Sequence, residues 1–225
     1  MQYIQPQPRF VALEGIKGAG KSTLALALME ALTPYLEEPI QLFRPTRASA
    51  PYLWERTARA SFLCRNEFFL NELYIRRARA AARAIDWRRP TLGDRSLLTS
   101  FACRLPTKSS LIASHIERQL QREPLNPWPG QVIWLHLPPE TAHLRLKNRR
   151  EVRTNQHHES LAALHSQHLG YQALYDWSRK IGLPNWQLVD ARQPTDQLVE
   201  KILPLLLVSF GVPHPDVLKE QNVQK

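Results

Sequence analysis

Cysteine is scarce in this chain. Cys64 and Cys103 are the only two in 225 residues, and they stand at no metal-ligand spacing, so the pattern reads as two free thiols in a reducing cytoplasm. The N-terminal MQYIQPQPRF holds no apolar signal core, so export is not expected. Long hydrophobic runs are also missing. The longest, Ile202 to Val212, contains Pro204 and is too short to span a bilayer, so no membrane partner is expected. There is no N-K-x-D string, which argues against a GTPase. No stretch interleaves basic and aromatic residues, so a nucleic-acid partner is not expected either. His157, His158, His165 and His168 have only Glu159 as an acidic neighbour at ligand spacing, and we read them as a surface helix rather than a metal centre. Repeats and interior linkers are absent.

Charge and apolar residues are plentiful. Lys and Arg number 30 against 20 Asp and Glu, a formal net charge of +10 that suits anionic ligands. Hydrophobic residues make up 43%, enough for one sizeable core. Short apolar runs alternate with longer helical patterns, which implies βα units and a mainly parallel sheet. Strands are expected at Phe10–Glu14, Ile40–Phe43, Thr91–Asp94, Gln131–Leu137 and Trp186–Val189. Helices are expected at Ser22–Leu32, about 67–85, from Pro138-Pro139-Glu140 to about Arg150, at 161–180 and at 195–208. One domain should cover residues 1–212, with a polar tail at 213–225.

The sharpest chemical signal is Gly15-Ile-Lys-Gly-Ala-Gly-Lys-Ser22, which satisfies G-x-x-x-x-G-K-[ST] without a gap. Glycines let the backbone wrap phosphates closely, with successive N–H groups pointing inward. The helix starting near Lys21 offers its positive end to the same anions. Lys21 would reach the β- and γ-phosphates, and the Ser22 hydroxyl would ligate Mg2+. A strand before the loop and an Ala/Leu-rich helix after it supply the context that such a P-loop requires. The expected donor loop is thus Gly15, Ile16, Lys17, Gly18, Ala19, Gly20, Lys21, Ser22 and Thr23, and its expected ligand is an ATP-like nucleoside triphosphate, ATP itself in the leading reading. Asp94 ends a strand at the same sheet edge, where a carboxylate can hold the metal. Arg95 beside it can clamp a phosphate bidentately.

The loop with its flank, FVALEGIKGAGKST, resembles the opening of thymidylate kinases and of deoxynucleoside kinases. Phe43-Arg-Pro-Thr-Arg47, Gly93-Asp-Arg-Ser96, Trp134-Leu-His-Leu-Pro-Pro-Glu140 and Val189-Asp-Ala191 with Pro194 follow in the family's order. The resemblance implies a P-loop α/β/α fold with a five-stranded parallel sheet and a helical lid at about residues 145–160. It implies that Arg47 holds an acceptor monophosphate, that Arg76 or Arg77 lies near the acceptor base, and that Asp190 and Ala191 cradle the adenine. It places Arg145, Arg149, Arg150 and Arg153 in the lid, of which Arg149 and Arg153 are the favoured catalytic pair with Lys21 and Arg95. A homodimer through helices is common among such relatives.

The pattern departs from thymidylate kinases on the acceptor side. Lys17 stands where they carry an acid, Ser96 and Leu98 follow the Asp-Arg pair, and Ala102-Cys103-Arg104 replaces the segment that frames thymine. The leading expectation is therefore ATP-dependent phosphoryl transfer to a nucleoside monophosphate. A deoxynucleoside kinase is the alternative, needing a carboxylate base that Glu55, Asp94 or Glu14 would have to supply. A nucleotide-binding regulatory protein without turnover is the third.

Overall fold

The computed structural model describes residues 6–58, 67–103, 112–122, 127–149, 159–182 and 184–212. Thirteen principal elements follow in chain order: β1 (Pro6–Glu14), α1 (Lys21–Leu32), β2 (Gln41–Phe43), α2 (Tyr52–Ala58), α3 (Glu67–Arg83), β3 (Thr91–Asp94), α4 (Leu97–Ala102), α5 (Ile112–Arg122), β4 (Trp128–His136), α6 (Pro139–Lys147), α7 (Leu161–Ile181), β5 (Asn185–Asp190) and α8 (Thr195–Ser209). The strands form a single sheet in the order β2-β3-β1-β4-β5, and every pairing is parallel. Helices cover both faces, the expected three-layer α/β/α arrangement.

Why this sheet forms is visible in β1. Phe10 through Leu13 are fully buried, as a strand covered on both faces must be. Successive side chains point to opposite faces. Phe10 and Ala12 pack with Phe43, Ala82 and Trp87, while Val11 and Leu13 join the larger core with Leu24 and Leu28 of α1 and Leu206 of α8. On β4, Trp134 is buried among Tyr171, Tyr175 and Trp186. Aromatic residues of this size each bury about 150–250 Å² and dominate core energetics.

The expected strands and helices appear at their places, with three kinds of difference. First, β1 and β4 start earlier than their apolar runs. Pro6 pairs with Trp128 and Gln7 with Pro129, ahead of a register shift between Gln7 and Val11, and polar, proline-bearing ladder ends carry no periodic signal. Second, α2, α4 and α5 form where no helix is expected. Of these α2 and α4 are short, and α4 depends on a local cap: Ser96 accepts a hydrogen bond from the Leu98 N–H at 3.1 Å. Third, the helix α6 ends at Lys147 rather than near Arg150. Residues 150–158 of the expected lid and the expected tail at 213–225 lie outside the described residues.

The P-loop leaves the carboxyl end of the central strand β1, and Asp94 leaves that of its neighbour β3. Register places Leu13 beside Asp94 and Glu14 beside Trp134. Open parallel sheets bind ligands at this edge, where strand order reverses.

Candidate active site

Gly15, Gly18 and Gly20 have φ of 141°, 92° and 88°. Side chains rarely adopt this region, so only glycine holds the loop in shape without strain. Space is equally short. A Cβ on Gly15 would lie 2.6 Å from the Leu135 carbonyl oxygen, and one on Gly18 would lie 2.9 Å from that of Ala142. The loop is thereby clamped between β4 and α6, while a Cβ on Gly20 would meet nothing within 4 Å. Ala19 closes the turn by donating its N–H to the Ile16 carbonyl at 3.3 Å.

Lys21, the first residue of α1, is buried at 5% exposure. Its ammonium donates to the carbonyls of Gly15 at 2.8 Å and Ile16 at 2.7 Å, arching back over the loop. Burial pushes its pKa well below the ordinary value and Arg95 adds to this, against the pull of Glu14 and Asp94. A cation so strained becomes easier to keep charged when an anion arrives. The loop and its lysine therefore fit a triphosphate.

Next to them, the Ser22 hydroxyl donates to Asp94 Oδ2 at 2.6 Å. These are two hard oxygen donors from different elements, and Mg2+ prefers that donor set. When bound with the nucleotide, the ion would neutralise charge on the phosphate oxygens. Two arginines from the turn after β2 reach the same point. Arg47 Nη2 donates to Ser22 Oγ at 3.4 Å, and Arg44 Nε lies 3.8 Å from Asp94 Oδ2. Thr23 is exposed on the first turn of α1.

Arg95 is the one non-glycine residue with positive φ among the described residues, at 85°. That conformation costs about 1–2 kcal/mol for a residue with a side chain. The compensation comes from Glu14, which is fully buried. Its Oε1 accepts from the Ser96 N–H and the Ser96 hydroxyl, both at 2.6 Å, and its Oε2 accepts from Thr99 and Tyr171, both at 2.7 Å. Hydrogen bonds to a charged group contribute about 1.5–3 kcal/mol each, so two on Ser96 outweigh the strain one residue earlier. Arg95 Nη1 donates to Thr99 Oγ1 at 3.4 Å. Burial works against its charge, but Tyr171, Cys103, Glu14 and Asp94 outweigh it and raise its pKa. Tyr171 is itself pushed well above its ordinary value, by burial first and then by Glu14.

The other expected residues are placed as follows. Lys17 turns toward α7: its ammonium lies 2.7 Å from Glu159 Oε1, and its N–H donates to Gln167 Oε1 at 3.3 Å. Asp190 is gripped by Arg192, through the guanidinium first and then the backbone N–H at 3.0 Å, which together lower its pKa to about 2. Ala191 donates its N–H to the His136 carbonyl at 2.9 Å, which fixes this loop to the end of β4. Arg145 reaches the same loop, donating to the Arg192 carbonyl at 3.4 Å. Arg149 is exposed just after α6. Arg76 lies 3.1 Å from Glu72 and 4.1 Å above the Trp54 ring, and Trp54 stacks on Phe69. Arg150, Arg153 and Arg104 lie outside the described residues.

The structure thus brings Lys21, Ser22, Asp94, Arg95 and Arg47 to one sheet edge. It adds Glu14, Ser96, Thr99, Tyr171 and Arg44. Glu14 could have been noticed as a charged residue ending an otherwise apolar strand, but Tyr171 lies 157 positions away in sequence, and no local pattern joins them. Glu14 was expected to be able to stand in as a general base. With full burial and four hydrogen bonds to its carboxylate, it is not placed for that role.

A family model described as thymidylate kinase matches residues 13–202. No curated protein sequence matches the chain. Among solved structures, deoxyadenosine kinase from M. mycoides with bound dATP superposes with a TM-score of 0.60 at 18% identity, over 88% of this chain and 98% of that one. The same enzyme with bound dCTP gives 0.56 at 18% identity, over 88% and 98%. With products dCMP and a flexible dCDP it gives 0.55 at 16% identity, over 88% and 97%. At these identities the likeness is one of fold.

Proposed function

The chain belongs to the thymidylate kinase family and is a nucleotide or nucleoside kinase; from that premise we propose that it moves the γ-phosphoryl of ATP, with Mg2+, to a nucleoside monophosphate. The observation that carries the choice of acceptor is the turn after β2. It presents Arg44 and Arg47 toward Ser22 and Asp94, a setting that attracts an ionised phosphate. A nucleoside acceptor would instead need a base to take its hydroxyl proton. The first acid after β2 is Glu55, and it is held by Arg77 and by the Ala50 N–H at 2.7 Å. Asp94 is bound to Ser22. A monophosphate already carries its nucleophilic oxygen ionised and needs no base.

In this reading Lys21 and the loop amides hold the β- and γ-phosphates, and Ser22 with Asp94 holds the metal. Arg47 and Arg95 clamp the acceptor phosphate. Asp190 and Ala191 border the adenine, and Arg149 supplies positive charge to the transferring group; Arg153, assigned the same role, lies outside the described residues. Such pre-placed cations and donors stabilise charge where it develops, which is the main protein contribution to phosphoryl transfer. A coupled assay of ADP formation with Mg-ATP, over a panel of nucleosides and nucleoside monophosphates, tests it. Turnover with monophosphates alone supports the proposal. Turnover with nucleosides alone overturns it in favour of a nucleoside kinase. Tight ATP binding without turnover on any acceptor replaces it with a nucleotide-binding regulatory protein.

A further inference from the structure

Glu14 sits between the two halves of the site. Its backbone ends β1 and leads directly into Gly15, while its carboxylate lies against Ser96. All four hydrogen bonds to it come from elements outside the P-loop: Ser96 before α4, Thr99 within α4, and Tyr171 of α7. The Thr99 and Tyr171 hydroxyl oxygens lie 3.0 Å apart as they converge on the same carboxylate oxygen, and Thr99 Oγ1 accepts from the Arg95 guanidinium at 3.4 Å. The Arg95 N–H donates to the Leu13 carbonyl at 3.2 Å, so the left-handed turn is fixed on both sides by the residues that lead into the P-loop.

We propose that Glu14 is a positioning residue for phosphoryl transfer: its buried carboxylate locks the Arg95–Ser96 turn to the base of the P-loop and so aims the Arg95 guanidinium. The role of Arg95 as the acceptor clamp is taken from the proposed function, and the inference rests on it. Both carboxylate oxygens of Glu14 are taken up by protein donors, so its assigned role is to position Arg95 rather than to bind a nucleotide. Its negative charge also offsets those of the buried Lys21 and the half-buried Arg95. Tyr171 and Thr99 serve as the second tier, holding Glu14 against Ser96.

The test is a double-mutant cycle on the full chain. Glu14→Gln, Arg95→Ala and the double variant are assayed for ADP release with Mg-ATP and an equimolar mixture of nucleoside monophosphates. In parallel, hydrogen exchange at the Ser96 amide is followed. Glu14→Gln should lower kcat/KM for the acceptor about 10-fold in the native background and less than about 2-fold once Arg95 is gone, because coupled residues are non-additive. The Ser96 amide should exchange about 10-fold faster, since its charged acceptor has become neutral. Tyr171→Phe should give a smaller change in the same direction, and it serves if Glu14→Gln does not fold. An equal loss in both backgrounds, or unchanged exchange at Ser96, overturns the inference. If Arg95→Ala alone leaves turnover intact, the clamp reading falls and the aiming role of Glu14 falls with it. If the native chain releases no ADP, the proposed function fails by itself, and Ser96 exchange still decides whether Glu14 locks the turn.

Discussion

Replacing Gly170 with alanine sets two effects of opposite sign against each other. Gly170 lies inside α7, where alanine is favoured over glycine by about 0.8–1 kcal/mol. Propensity alone therefore expects a more stable protein. Tertiary contact expects the reverse. A Cβ at this position would overlap the Ala102 carbonyl oxygen of α4 and lie 2.7 Å from its carbon and 3.2 Å from its Cα. All three are backbone atoms, so no side chain can rotate away, and α4 must move as a whole. Overpacking of this kind costs about 1–3 kcal/mol, sometimes more, and the rigid partner places it at the upper end. The net is a loss of about 2 kcal/mol. At about 2–4 °C per kcal/mol for a chain of this size, the melting temperature should fall by about 4–8 °C. The displacement also reaches the site, because α4 carries Thr99 and the next residue of α7 is Tyr171, both hydrogen-bonded to Glu14. Turnover should therefore drop more than the loss of folded protein explains. Thermal melting followed by circular dichroism, with ADP release measured well below the transition, checks both parts. A variant that melts at or above the native protein refutes the contact between α4 and α7 as described.

Lys21→Met should abolish most turnover, by about 10²–10³-fold for one lost donor at the transferring group, yet raise the melting temperature of the ligand-free protein at neutral pH. The sign follows from linkage: the folded-state pKa of Lys21 is below its ordinary 10.5, so the unfolded chain binds the extra proton between the two values and stability rises with pH across that window. The gap between variant and native melting should accordingly narrow as pH approaches 10.5; a gap independent of pH would sink this account. Asp94→Asn should raise the Mg2+ concentration for half-maximal activity by about 10-fold or more, in the range seen when a metal's supporting groups are altered, and an unchanged Mg2+ dependence would remove Asp94 from the metal site. Lys17→Met and Glu159→Gln should each destabilise by no more than about 1 kcal/mol, as a partly exposed ion pair does. The charge-swapped pair Lys17→Glu with Glu159→Lys should recover part of that loss in a melting assay, and no recovery would show that the pair contributes nothing.

The residues settle much of this protein through local physics. Gly15, Gly18 and Gly20 with Lys21 and Ser22 are close together in sequence, and the steric freedom of glycine and the start of a helix act over that same short range. The P-loop could therefore be read without coordinates. The central strands β1 and β4 were legible for a similar reason, since strands buried on both faces must be continuous apolar runs such as Phe10–Leu13. The placement of Asp94 beside the loop needed only the rule that parallel strands end at one sheet edge. What the tertiary structure alone decided are the long-range polar contacts. Lys17 looks, in sequence, like a cation offered to phosphate, and folding gives it Glu159 instead. Glu14 looks like the end of a strand, and it becomes the anchor of a left-handed Arg95 only when α4 and α7 close around it. Hydrogen-bond partners separated by tens of residues leave no periodic trace, because burial fixes the type of residue at a position but not which distant donor will satisfy it.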